Sequence, residues 1–177
     1  MGFSISWIAL RGVEKAEALR RLGFRDVGSE NEANESPFSA THIPTGRTLI
    51  FSNDFDYGSA EHLRQISAGT TAVSCQVEEH VMFSAAHSST DGRDDWSIWH
   101  DSQNGVRHLQ TSGVVPAAFT TTKVRLLAEQ DHDEGGQVDY VFDIPIDVAQ
   151  AITGYRHDLW DFPWGPHPHW TVIEPRR

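Results

Sequence analysis

The sequence predicts a single α+β domain: a largely antiparallel sheet with helices packed on one face. Three observations predict it. Phe3 to Gly23 reads as a strand followed by a helix; Val73 to Gln110 is almost wholly strand-like; and 177 residues suit one core but would crowd two.

The elements follow in order along the chain. Phe3, Ile5, Trp7 and Ala9 alternate with Ser4 and Ser6, the period of a half-buried strand. After Gly12, the residues Val13, Ala16, Leu19 and Leu22 recur at helical spacing, and Gly23 stands where a helix ends in the left-handed region. Asp26 to Pro37 is acidic, rich in Ser and Asn and without period, so it reads as a solvated loop. Pro44-Thr45-Gly46 marks a turn between strands at Phe38–Ile43 and Arg47–Ser52. Ser59 caps a helix carrying Leu63 and Ile66, with Gly69 beyond its end.

Val73, Cys75, Val77, Glu79, Val81 and Phe83 form one face of a single long strand. Farther on, Asn104-Gly105 signals a two-residue type I′ hairpin, which needs positive φ at both residues. That turn sets Gln103 opposite Val106, Asp101 opposite His108 and His100 opposite Leu109. Trp96, Ile98, His100 and Leu109 then share an apolar face, and Ser97, Trp99, Asp101, His108 and Gln110 a wetter one. Pro116 opens a helix with Phe119, Val124 and Leu127, and Asp131–Gly136 is a loop. Val138–Ile144 reads as a strand, Pro145 opens a short helix and Gly154 closes it. From about Tyr155 the chain, rich in Trp, Pro and His, reads as an irregular wrap.

Charge and cysteine count bound the function. A net charge of -11 disfavours binding to nucleic acid, which requires a basic face to displace counterions. It favours solubility, or contact with a basic partner protein through an acidic face. No apolar run reaches the roughly 20 residues that cross a bilayer, so no membrane association is expected. Met1-Gly2-Phe3-Ser4 has no basic segment before an apolar one, and the single cysteine, Cys75, forms no internal disulfide; both point to the cytoplasm.

Several residues carry candidate chemistry. Glu79 interrupts an apolar face, so it is either desolvated, as a general acid would be, or carried to water by a bulge or turn. His100, on the apolar face of the neighbouring hairpin, is its candidate partner, and the two would serve as acid and base if a cleft reached them. Asp101 and His108 form a second carboxylate–imidazole pair beside Trp99, with cross-strand ion pairing as the structural alternative. No nucleophile completes a triad: Cys75 sits at an apolar position, and no serine has a G-x-S-x-G setting. Trp99 and Trp96 are the candidate binding aromatics.

No cofactor or metal is predicted. His157, Asp158, His167 and His169 match no strong ligand spacing, and Asp131-His132-Asp133-Glu134-Gly135-Gly136 opens like a calcium loop but places Phe142 where the twelfth-position Glu belongs. Phosphate-binding glycine loops are also lacking.

Cys75-Gln76-Val77-Glu78-Glu79-His80-Val81-Met82, Trp96 to Asp101 and Gly154-Tyr155-Arg156-His157-Asp158 together resemble a group of small bacterial proteins without an assigned activity. The resemblance covers most of the chain and implies a bacterial origin, but no mechanism. The functional expectation is therefore a non-enzymatic binding or regulatory protein, immunity-like in kind. The alternative is a small hydrolase or acid/base enzyme built on the carboxylate–histidine pairs.

Overall fold

In the computed structural model, which describes residues 2–133, 135–136 and 138–176, β1 (Ser4–Arg11) is buried on both faces. Ile5, Trp7 and Ala9 point into one core, Ile8 and Leu10 into another. Ser6 lies between them fully buried, and this is possible because its hydroxyl donates to the Asp54 carbonyl at 2.7 Å. The half-buried strand expected from the alternation is thus a central one.

α1 (Lys15–Leu22) ends at Gly23, whose φ of 72° supplies the left-handed cap. The acidic stretch that follows is not a loop. It forms β2 (Phe24–Asn31), an edge strand exposed on both faces from Arg25 to Glu30, and a strand with two wet faces shows no hydrophobic alternation to read. β3 (Phe38–Ile43) and β4 (Arg47–Ser52) make the expected hairpin. After a 3₁₀ turn at Phe55–Gly58, α2 (Ala60–Ile66) starts at Ser59, whose hydroxyl accepts from His62 N–H at 3.4 Å.

β5 (Thr71–Glu78), β6 (Phe83–Thr90) and β7 (Arg93–Asp101) form a meander. Its type I′ turn is Asp91-Gly92, with φ of 49° and 75°, and the Asp-Gly dipeptide is its sequence signal. β8 (Gln110–Gly113) pairs Trp99 with Gln110, which continues the register counted outward from Asn104-Gly105. The connection itself differs: Ser102–Asn104 is a 3₁₀ turn and Asn104 has no positive φ. Asp101 tips the choice, because its carboxylate accepts from Gln103 N–H at 3.0 Å and from Asn104 Nδ2 at 2.8 Å.

α3 (Ala117–His132) runs into the region expected to be a loop, and it buries Thr122 and Leu126 while Val124 is exposed. Glu134 of the calcium-loop-like run lies outside the described residues. No strand forms at Val138–Ile144; a turn there leads into α4 (Asp143–Thr153), capped by Gly154 at φ 81°. Its apolar run is read in two ways by periodicity alone, and packing of Ile144, Ile146 and Val148 into the core decides for helix.

The tail is more regular than a wrap. A two-residue pair, β9 (Asp161–Phe162) with β10 (Gly165–Pro166), precedes β11 (Trp170–Pro175), which inserts between β2 and β3. The 9-stranded antiparallel sheet has the order β2-β11-β3-β4-β1-β5-β6-β7-β8. Helices pack against it on both faces: α3 and α4 share the core of Trp7, Cys75 and Ile98, while α1 and α2 cover Ile8, Leu10 and Ala72. No helix among the described residues is long and apolar enough to cross a membrane.

Candidate functional site

Glu79 leaves the sheet before it can face the core. β5 ends at Glu78, residues 79–82 turn, and Met82 takes the positive φ of 49°, so the single strand expected over Val73–Phe83 is two. At the strand end a carboxylate finds a backbone donor more readily than inside an apolar face. Glu79 Oε2 accepts from Phe3 N–H at 2.9 Å, and Glu79 N–H donates to the Phe3 carbonyl at 2.8 Å.

His100 is 0% exposed on the apolar face of β7, as its strand position implies, but its partner is Asp139 rather than Glu79. Nε2 lies 3.0 Å from Asp139 Oδ2, and Nδ1 lies 2.7 Å from the His108 carbonyl. Burial alone would lower the His100 pKa; the Asp139 carboxylate and the His108 carbonyl outweigh it and hold the pKa above its ordinary value. Asp139 sits in the turn before α4, which the sequence presents as strand interior, so no local signal marks it as a partner.

Asp101 and His108 do meet, though not as a carboxylate–imidazole pair. The Asp101 backbone N–H donates to His108 Nδ1 at 3.0 Å, while the Asp101 carboxylate is occupied by the 3₁₀ turn. Trp96 is 7% exposed and packs in the main core, and Trp99 is half-buried on the opposite face of β7. Cys75 is fully buried, and burial pushes its thiol pKa upward.

A concavity lies elsewhere, where β2 and the tail meet. Pairing of β11 with β2 sets Trp170 opposite Asn31 and Thr171 opposite Glu30. Around that junction a cavity of about 480 Å³ is lined by Glu30, Glu32 and Glu35 on one side and by Trp160, His167 and Trp170 on the other. Among the described residues no Lys or Arg is part of its lining. Trp160 is 66% exposed and packs against His167 in a tilted arrangement, 4.9 Å between ring centroids and 40° between planes.

A second cavity of about 210 Å³ shares Glu32, Trp160 and His167 with the first and runs inward past Phe3, Phe51 and Leu159. His157 also lines it, set edge-on to Phe3 at 5.0 Å. Both His157 ring nitrogens are closed to solvent and have no hydrogen-bond partner among the described residues; the same holds for Tyr155 Oη and Trp170 Nε1. Burial lowers the His157 pKa to about 4, so the ring is neutral at pH 7.

Arg156 anchors this segment to α4. Its guanidinium reaches Asp158 at 2.7 Å and Asp143 at 2.9 Å and also pairs with Asp147. Among the described residues no three His, Cys, Asp or Glu side chains converge to hold a metal ion.

Two signals for the cleft stand in the sequence, the acidic run after Arg25 and the aromatic tail. What joins them is the β2–β11 pairing, which brings together opposite ends of the chain. No family model, no curated protein and no solved structure matches this chain.

Proposed function

We propose that the chain is a non-enzymatic binding protein, regulatory or immunity-like in kind, that engages a basic partner protein in a reducing, cytoplasmic setting. The observation that carries this is the cavity of about 480 Å³, with three carboxylates and, among the described residues, no Lys or Arg in its lining, and with Trp160 66% exposed beside it. Such a surface attracts positive charge and gives a partner an aromatic anchor. The carboxylates and imidazoles that would otherwise suggest acid/base catalysis are engaged in holding the fold. His100 is enclosed and doubly hydrogen-bonded, Asp101 caps a turn, and Glu79 ties down the N-terminal residues.

Native mass spectrometry of the untagged protein, isolated at low ionic strength from its own host, tests this. A stoichiometric basic protein is expected, lost as salt is raised and lost from an E30Q/E32Q/E35Q variant. A monomer carrying no protein under these conditions would overturn it.

A further inference from the structure

We infer that Asn104-Gly105 is a site of spontaneous deamidation, and that Asp101 restrains it by holding both reacting groups of the turn between β7 and β8. The site is separate from the acidic cleft and does not depend on the basic-partner reading.

The dipeptide does not form the type I′ hairpin that its sequence signals, but its chemistry remains. The backbone nitrogen of the residue after an asparagine can attack the side-chain amide carbon, and glycine hinders that attack least because it has no Cβ. A Cβ built on Gly105 meets nothing within 4 Å, and Asn104 and Gly105 are both exposed, so there is room for the ring to close and water reaches it.

The step consumes only water. The Gly105 N–H proton passes to water, the bond from Gly105 N to Asn104 Cγ forms, the Cγ–Nδ2 bond breaks, and the nitrogen leaves as ammonia after taking a proton from water. Addition of one water to either carbonyl of the resulting succinimide gives aspartate or isoaspartate at position 104.

In the folded turn both reacting groups are engaged. Gly105 N–H donates to the Ser102 carbonyl at 2.9 Å, and Asn104 Nδ2 donates to Asp101 Oδ2 at 2.8 Å. Asp101 Oδ1 accepts from Gln103 N–H at 3.0 Å and so fixes the 3₁₀ turn that places the Ser102 carbonyl. One carboxylate thus holds the leaving amide directly and the attacking nitrogen through the turn. The hydrogen bonds of an exposed three-residue turn open locally, so the restraint slows the reaction without abolishing it.

The aspartate product puts a carboxylate where Asp101 has a donor. The bond between the two side chains is lost and two negative charges face each other in its place. The disturbance reaches His108, whose Nδ1 accepts from Asp101 N–H and whose carbonyl lies 2.7 Å from His100 Nδ1. Deamidation is therefore a one-way change of charge at the β7–β8 connection.

The test incubates the full chain at pH 8 and follows Asn104 by peptide mapping that separates asparagine, aspartate and isoaspartate. The native protein, the same protein unfolded in guanidinium chloride, and Asp101→Ala and Asp101→Asn variants shown to be folded by circular dichroism are compared. The native chain is expected to convert at least about tenfold more slowly than the unfolded one, Asp101→Ala to approach the unfolded rate, and Asp101→Asn, which keeps an acceptor for Gln103 N–H, to fall between. Asn104→Asp, the product made directly, is expected to speed amide exchange at Gln103 and Gly105 about tenfold. No conversion in the unfolded chain would overturn the site. Equal rates in native and unfolded chains, or a native rate that neither Asp101 variant changes, would overturn the restraint, and unaltered exchange in Asn104→Asp would overturn the effect on the turn.

Discussion

His100 Nε2 sits 3.0 Å from Asp139 Oδ2, in a pair whose imidazole is 0% exposed, whereas His157, also enclosed, has no partner among the described residues. Two histidines in one small domain are therefore shifted in opposite directions. Burial lowers both; at His100 the hydrogen bonds to Asp139 and the His108 carbonyl outweigh it, whereas at His157 burial outweighs the nearby Asp158 carboxylate.

Asp139→Asn is expected to destabilise the fold by about 2 kcal/mol where His100 is charged. Because the His100 pKa is raised in the fold, the pair's contribution is full below the unfolded value of about 6.5 and is lost as pH rises through the folded value. Urea unfolding of both proteins at steps from pH 6 to pH 9 checks this. A cost that does not shrink across that range contradicts a charged pair.

The sign is reversed for His157. Its folded value of about 4 lies below the unfolded one, so the unfolded chain binds the extra proton between them, and stability falls as pH drops from about 6.5 toward 4. The full effect is roughly 3 kcal/mol, and a His157→Phe variant is expected to lose less stability than the wild type over that interval. Thermal unfolding followed at pH 7, 6 and 5 reads the difference, and parallel profiles would argue against a neutral buried ring.

Arg156 has a side-chain exposure of 15% and holds Asp143, Asp147 and Asp158 together. Arg156→Met leaves Asp143 and Asp158 without a cation, while Asp147 keeps Arg125, and is expected to cost about 3 kcal/mol. Arg156→Lys keeps the charge but cannot span the three carboxylates with a planar fork, so it should recover only part of the loss. Denaturant midpoints for the two variants decide whether geometry or charge alone matters.

Gly12 and Gly113 both have positive φ, 64° and 72°, yet their surroundings differ. A Cβ on Gly12 meets nothing within 4 Å, whereas one on Gly113 runs into the Asp95 carbonyl oxygen. Gly12→Ala is expected to cost about 1 kcal/mol, the strain of the backbone alone. Gly113→Ala should cost about 3 kcal/mol and loosen the pairing of β8 with β7, visible as faster amide exchange at Trp96 and Ile98.

Local rules reached a good part of the fold. The caps at Gly23, Ser59 and Gly154, the hairpin at Pro44-Thr45-Gly46, and the register of Trp99 against Gln110 are short-range geometry, set by alternation and by residues that accept particular φ values. Local rules mislead where two signals compete. Asn104-Gly105 favours a type I′ turn, but the Asp101 carboxylate captures two donors and holds a 3₁₀ turn instead. Glu79 could stay in strand or leave it, and the Phe3 backbone N–H rewards leaving.

The sequence by itself determined the α+β class, the strand-rich centre from β5 to β8, the burial of His100 and the acidic, aromatic composition of the two segments that build the cleft. Only the tertiary structure decided that Asp139 is the partner of His100, and that Glu30 and Trp160 face one cavity. The physical reason is the same in both cases. A side chain's partner, and the meeting of an edge strand with a strand from the far end of the chain, depend on long-range pairing. An edge strand wet on both faces, like β2, leaves no periodic trace of that pairing in its own residues.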